Sequence, residues 1–179
     1  PARIMDPALV DAANATTSQG PTPRGGLGSG PLKPDLSAPG TDILSTNTTA
    51  AGEPNGYTTS SGTSMASPHV AGAAAVIRQA WPEWTPAEIK AALMTTADPV
   101  VKAGGALSPA TVQGAGRLNL ARAIDPGLLV TPAAIALPGT PPRLEESARI
   151  TLKDVRLQSG GPVVYTVTEE PGTSPEPGR

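Results

Sequence analysis

Gly62-Thr63-Ser64-Met65-Ala66-Ser67-Pro68-His69-Val70-Ala71-Gly72 is the stretch that decides how the other residues are read. A glycine leads into a serine. From Met65 a small and apolar run continues to Ala80, with only Ser67, His69, Arg78 and Gln79 polar in it. Such a run reads as a helix buried on most of its circumference. Its alanines and Gly72 would let neighbouring backbone come close. A serine at the mouth of a buried helix sits among N–H groups without helical partners, at the positive end of the helix dipole. That suits a nucleophilic oxygen whose reaction develops an oxyanion nearby. Two starts are open for the helix. Capping grammar favours Ser67 as N-cap with Pro68 at the first position. A start at Ser64 instead makes the first turn irregular, because Pro68 has no N–H to offer the Ser64 carbonyl.

The same stretch closely resembles the nucleophile motif of the subtilisin-like serine proteases (the subtilases, peptidase family S8), Gly-Thr-Ser-Met-Ala-x-Pro-His-Val-Ala-Gly. All ten specified positions are present in order. An N-cap serine in an unrelated alanine-rich helix explains Ser64 but not the other matches. The resemblance implies that Ser64 is the catalytic nucleophile, that Gly62 and Thr63 border the bound substrate, and that the helix begins at the nucleophile. Lys33-Pro34-Asp35-Leu36-Ser37-Ala38-Pro39-Gly40 is a second match, to the family's Lys-Pro-Asp-x-x-Ala-Pro-Gly. Pro34, Pro39 and Gly40 impose a bent, extended path there, and Asp42 to Thr46 follows as a strand. Asp35 invites a reading as triad carboxylate. A turn role is the usual one for Asp beside Pro, and the family's catalytic Asp lies in a different motif.

The resemblance continues over Thr17 to Thr22, similar to the family's Ser-Ser-x-Gly-Pro segment, and over the segments up to about Ile124, similar to the end of its catalytic domain. Tyr57 to Ser61 reads as a short strand leading into the motif, and Thr48 to Gly56 as a surface loop. Trp81-Pro82 ends the long helix. Thr85-Pro86-Ala87-Glu88 is a capping box that opens a second helix to about Thr96, with Ile89, Ala92, Leu93 and Thr96 on one face. Residues 115–119 predict a strand and Leu120 to Ile124 a short helix. Upstream, Asp6 to Ala13 could form a helix with Pro7 at its first position, and Gly25 to Pro31 a glycine loop.

Asp125-Pro126-Gly127 reads as the domain exit. Beyond it, Arg149 to Leu157 predicts a bulged strand, Gly160-Gly161 a turn and Val163 to Thr168 a second strand. Glu169 to Arg179 is rich in Pro, Gly and Glu and carries a disordered-tail composition. The expected fold class is thus α/β. Residues 1–126 form the C-terminal part of a subtilisin-like parallel-sheet domain, and residues 127–179 a linker, the start of a small β-rich domain and a tail. A parallel sheet needs both faces covered, so this part alone should be poorly packed on one side.

Composition limits the other function classes. A formal charge of −2 gives no basic surface for nucleic acid or a membrane. The absence of cysteine excludes a thiol mechanism. The apolar runs are too short to span a bilayer. With no Phe, two Trp and two Tyr, the core must be built from Ala, Val, Leu and Ile. No metal-ligand cluster or cofactor motif is visible. The resemblance implies at most calcium elsewhere in the family's domain, and a secreted or cell-envelope location.

A serine nucleophile needs a base within hydrogen-bond reach and a group to orient that base. The chain has one histidine, His69. Five residues along a helix place it about 140° around and ~7.5 Å along from Ser64, so it reads as a packed histidine. In subtilisins the triad Asp and His both precede the Ser in the chain. The expectation is therefore a fragment of a serine endopeptidase, lacking those two groups, inactive alone, with a protein or peptide substrate and the missing N-terminal part of the same domain as partners. The alternative is a non-catalytic relic of the fold that binds or supports. An α/β-hydrolase esterase requires a histidine after the serine motif, and none follows His69. A β-rich adhesin rests on residues 128–168 alone.

Overall fold

The structure is a computed structural model describing residues 12–20, 32–47, 56–102, 105–135, 148–156, 161 and 164–166. Strands β1 (Ile43–Asn47) and β2 (Gly56–Ser60) form an antiparallel hairpin, with Ile43 opposite Ser60 and Thr46 opposite Tyr57. Helix α1 (Thr63–Ala80) follows directly, then α2 (Pro86–Thr95), the single turns α3 (Ala110–Gln113) and α4 (Leu120–Ala123), and strands β3 (Leu128–Thr131) and β4 (Thr151–Asp154). The mixed α/β class holds. The segments expected as helix 6–13, loop 25–31 and loop 48–56 lie mostly or wholly outside the described residues, as does the tail 169–179; Gly56 itself opens β2.

The core is built on α2. Thr85 and Glu88 close the capping box: the Glu88 N–H donates to the Thr85 hydroxyl (3.3 Å) and the Thr85 N–H to Glu88 Oε2 (2.8 Å). Ala91, Ala92, Leu93 and Met94 are all buried, so the C-terminal half of α2 is enclosed, while Pro86, Ala87, Lys90 and Thr95 are exposed. Helix α1 lies against one side of it and β3 against another. Leu129 of β3 is fully buried in the same cluster as Ala73, Ile77, Trp84 and Ala123. The hydrophobic cluster thus continues across residues 126–127.

The long helix departs from expectation in its burial. Only Ala73 and Ile77 of α1 are buried, with Val70, Ala74 and the following Trp81 packed beside them. Ser64, Pro68, Ala71, Gly72, Ala75, Val76 and Gln79 are exposed, and at spacings of three and four they share one stripe. The small side chains are there, but among the described residues nothing lies on them. At its end, the Trp81 N–H returns to the Ile77 carbonyl (2.8 Å), and the Trp81 ring stacks on Trp84 at 5.1 Å.

Pairing also differs from a run of parallel strands. Residues 115–118 are a bridge rather than a strand. They lie between 35–37 and 98, parallel to the first at Ser37–Arg117 and antiparallel to the second at Asp98–Arg117. Ala115 donates to the Asp35 carbonyl (3.0 Å), Ser37 to Gly116 (2.8 Å), and Leu118 to Ser37 (2.8 Å). Glycine is required in this slot: a Cβ on Gly116 (φ 125°) would lie 2.3 Å from the Asp98 carbonyl oxygen. Among the described residues the expected strand 149–157 shortens to β4, which pairs with β3, Leu129 opposite Lys153; residues 163, 167 and 168 of the other expected strand lie outside the described residues.

Lys153 also reaches back to α2, donating to Glu88 Oε1 (2.5 Å). That bond, with those from the Thr85 N–H and hydroxyl, holds the Glu88 carboxyl down at about 2 against its usual 4.5. The unfolded chain therefore takes up the proton first as the pH falls. Stability from this group is complete above about pH 4.5 and is lost as the pH drops towards 2. Denaturant midpoints of the wild type and Glu88→Gln should differ at pH 6, and the difference should shrink at pH 2.5. A gap that stays constant with pH would show that the carboxylate's charge is not what matters.

Candidate active site

Ser64 is exposed in the first turn of α1, one residue after the helix begins. The helix start at the motif serine, and not at Ser67, follows from Gly62. This residue is the N-cap at φ 151° and ψ 167°, a conformation open to glycine, and no side chain caps the helix. The Gly62 carbonyl accepts from Met65 (3.0 Å) and Ala66 (3.3 Å). Neither Thr63 N–H nor Ser64 N–H donates to any group among the described residues. Two backbone donors and a hydroxyl thus share the N-terminus of an 18-residue helix. Pro68 sits inside the helix and leaves the Ser64 carbonyl without its i+4 donor.

The two sequence motifs meet here. The Gly62 N–H donates to the Gly40 carbonyl (2.7 Å), and a Cβ on Gly40 would lie 2.8 Å from Gly62 O and 3.3 Å from Ala66 Cβ. Gly62 therefore spends its N–H on the Pro39-Gly40 turn, and Thr63 is exposed beside Ser64. This contact is not legible in the sequence. Pro39-Gly40 marks a turn but does not say what the turn meets.

His69 lies away from the serine. Its Nδ1 is 2.8 Å from the Met65 carbonyl oxygen, one turn back on its own helix. A carbonyl only accepts, so Nδ1 carries the proton, and the ring is engaged with the backbone. In a catalytically complete domain, His69→Gln is expected to keep most of the turnover rate, because glutamine can still donate to Met65. Steady-state kinetics check this: a loss as large as that of removing the serine would make His69 the base.

Asp35 is committed elsewhere too. Burial alone would raise its pKa, but hydrogen bonds from Lys33 and from Lys90 Nζ (2.8 Å) leave it below the usual carboxylate range. Asp98 accepts from Asn119 (2.9 Å), Arg122 (3.0 Å) and Arg117 (3.2 Å), and the Asn119 bond is the main reason its carboxyl is depressed. The Asp98 carboxylate thus braces the 115–118 bridge through Arg117, while the Asp35 carboxylate is held by the two lysines. Among the described residues no three His, Asp or Glu side chains gather into a metal-sized group, so calcium is assigned to no residue here.

A model of the subtilase family matches residues 9–116. The chain belongs to the subtilase family. Its relatives include the minor extracellular protease Vpr of Bacillus subtilis (strain 168), 48% identical over 104 residues, covering 58% of this chain and 13% of that protein. Subtilisin-like protease SBT4.12 of Arabidopsis thaliana is 44% identical over 110 residues, 55% of this chain and 14% of the relative. Subtilisin-like protease SBT3 of Solanum lycopersicum is 42% identical over 147 residues, 70% of this chain and 18% of the relative. The matched stretch therefore spans 13% to 18% of these subtilases' own lengths. A subtilase is of serine-protease type, and the family match takes in Ser64, Gly62 and Thr63 as well as the Lys33–Gly40 segment. No described helix is long and apolar enough to cross a membrane.

Proposed function

We propose that these residues are the nucleophile-bearing part of a serine endopeptidase that cleaves peptide bonds through an acyl-enzyme on Ser64. The observation that carries this is an exposed motif serine beside its own and Thr63's unpartnered N–H groups at the N-terminus of α1. Once a base takes its proton, Ser64 Oγ attacks the scissile carbonyl. The carbonyl oxygen becomes an oxyanion, and the amine leaves with the proton returned by the base. A backbone N–H aimed at that oxyanion and the helix dipole stabilise the negative charge as it forms. Thr63, exposed next to Ser64, is the residue we assign to substrate contact, with Gly62 shaping the backbone there.

Base and carboxylate are not supplied by this chain in the reading we propose. His69 is tied to Met65, and Asp35 to two lysines. They come from the upstream part of the domain, which also covers the bare stripe of α1. A protein or peptide is the substrate, and secretion is the proposed location, in line with the extracellular relative. Residues 127–179 are proposed to lead into a further β-rich segment. A second reading, a non-catalytic relic that binds or supports, shares this described geometry. A fluorophosphonate probe at neutral pH separates the two. The 179 residues alone should label negligibly, and a domain completed upstream should label at Ser64. A completed domain that fails to label supports the relic. Rapid stoichiometric labelling of the chain alone would mean that the serine is activated from within.

A further inference from the structure

Two hydrogen bonds tie one short segment to the two residues that precede the α1 turn. The Gly62 N–H donates to Gly40 O (2.7 Å), and the Asp42 N–H donates to the Ser61 hydroxyl (2.8 Å). Asp42 has φ 53°, in the left-handed region, and its N–H faces the Ser61 hydroxyl. Asp tolerates that region better than most residues, though at some cost. Gly62 is in a glycine-favoured conformation on the other side, and Gly40 lies so close that a methyl group would strike Gly62 O. Thus the Gly40–Asp42 turn and the Ser61-Gly62 pair are held at two points, each with a special backbone conformation. Strand pairing of Ile43 with Ser60 closes the same loop from behind.

We propose that this clasp sets the direction of the Ser64 hydroxyl and of the Ser64 N–H, and that Ser61 is a positioning residue for the nucleophile. The catalytic part rests on the proposed peptidase reading; the clasp itself does not. Ser61 is exposed and its side chain fills no core, so its replacement should not unfold the chain. Its hydroxyl accepts from the Asp42 N–H (2.8 Å) and lies 3.5 Å from Asp42 Oδ1, bracing the turn that presents the Gly40 carbonyl to Gly62. Ser61 therefore acts on the nucleophile through Asp42, Gly40 and Gly62.

The test compares wild type, Ser61→Ala, Ser61→Thr, Gly40→Ala and Ser64→Ala. In the 179-residue chain, amide exchange is followed by NMR at Gly62, whose N–H donates to Gly40 O and not to the Ser61 hydroxyl, as a protection factor corrected for the side chain at 61. Ser61→Ala should speed Gly62 exchange about tenfold, the scale of one lost hydrogen bond. Gly40→Ala should speed it at least as much, Ser61→Thr should restore it, and Ser64→Ala should leave it unchanged. An unaltered Gly62 amide in Ser61→Ala would overturn the clasp. In a catalytically complete domain, Ser61→Ala should lower kcat about tenfold with KM nearly unchanged, and Ser61→Thr should recover it. Unchanged kcat, with only a lower Tm, would reduce Ser61 to a structural residue. If wild type is itself inactive there, the peptidase reading fails, and the exchange result still decides the clasp.

Discussion

Replacing Ser64 by alanine in a subtilase domain completed upstream is expected to lower peptide-bond turnover by about 10⁶-fold, with KM little changed. That is the scale of losing the serine in subtilisin itself, where it nearly equals loss of the whole triad. The proposed peptidase reading carries the figure to Ser64. The physical reason is that the remaining groups only stabilise charge. Without Oγ no bond to the scissile carbon forms, and the N–H groups of Thr63 and Ser64 have no intermediate to hold. Alanine keeps the helix, since Gly62 caps α1 through its backbone and no side chain takes part. Thermal melts of the variant and parent should therefore coincide while hydrolysis and probe labelling disappear together. Activity that survives in Ser64→Ala, or a probe found on another serine, would remove the basis of the assignment.

Leu129→Ala is expected to cost about 3 kcal/mol, within the ~2–5 kcal/mol range of buried Leu→Ala changes. Leu129 is 0% exposed and shares a cluster with Ile77 and Trp84, although it lies beyond the expected domain exit at Asp125-Pro126-Gly127. Leu152, on the paired strand β4, is 42% exposed, and Leu152→Ala should cost under ~1 kcal/mol. The stacked Trp81 and Trp84 give a fluorescence signal for urea titrations of both variants. Equal losses would mean that β3 and β4 are anchored alike. No loss for Leu129→Ala would mean that β3 is not part of the core in solution.

Local grammar makes much of this legible. Thr85 and Glu88 announce the start of α2 three residues apart, and the capping box forms as the spacing implies. The motif around Ser64 places the serine at a helix mouth, and it lies there. Long-range partners are beyond reach. Nothing in residues 149–157 points to 128–131. The nearer Gly160-Gly161 turn suggests a hairpin with 163–168, because turn residues advertise only sequence neighbours. The strand at 115–119 fails for a related reason. Gly114 and Gly116 hold φ of 64° and 125° to fit between two backbones, and such angles interrupt regular strand geometry. The composition of α1 overstates its burial, because small residues signal that something can come close, not that it is present. Among the described residues it is the C-terminal half of α2, flanked by α1 and β3, that is enclosed.

The bridge at residues 115–118 has a consequence for the order in which the chain matures. Ser37 Oγ donates to the Gln113 carbonyl across 76 positions, and its backbone pairs with Gly116 and Leu118. On the ribosome the 35–37 segment emerges first and waits for that partner. At about 5–20 residues per second the wait is roughly 4–15 s. The contacts of Asp98 with Arg117, and of Val100 with Gln113, span only 19 and 13 positions. They can close soon after both ends appear. The later half thus assembles as a local platform, and the early proline-rich segment docks onto it. The Gly40–Gly62 and Asp42–Ser61 contacts are as local as those of the platform, so the support of the Ser64 turn can close before residues 113–118 have emerged. A nascent chain would set the turn before its serine well before Ser37 finds its distant partner.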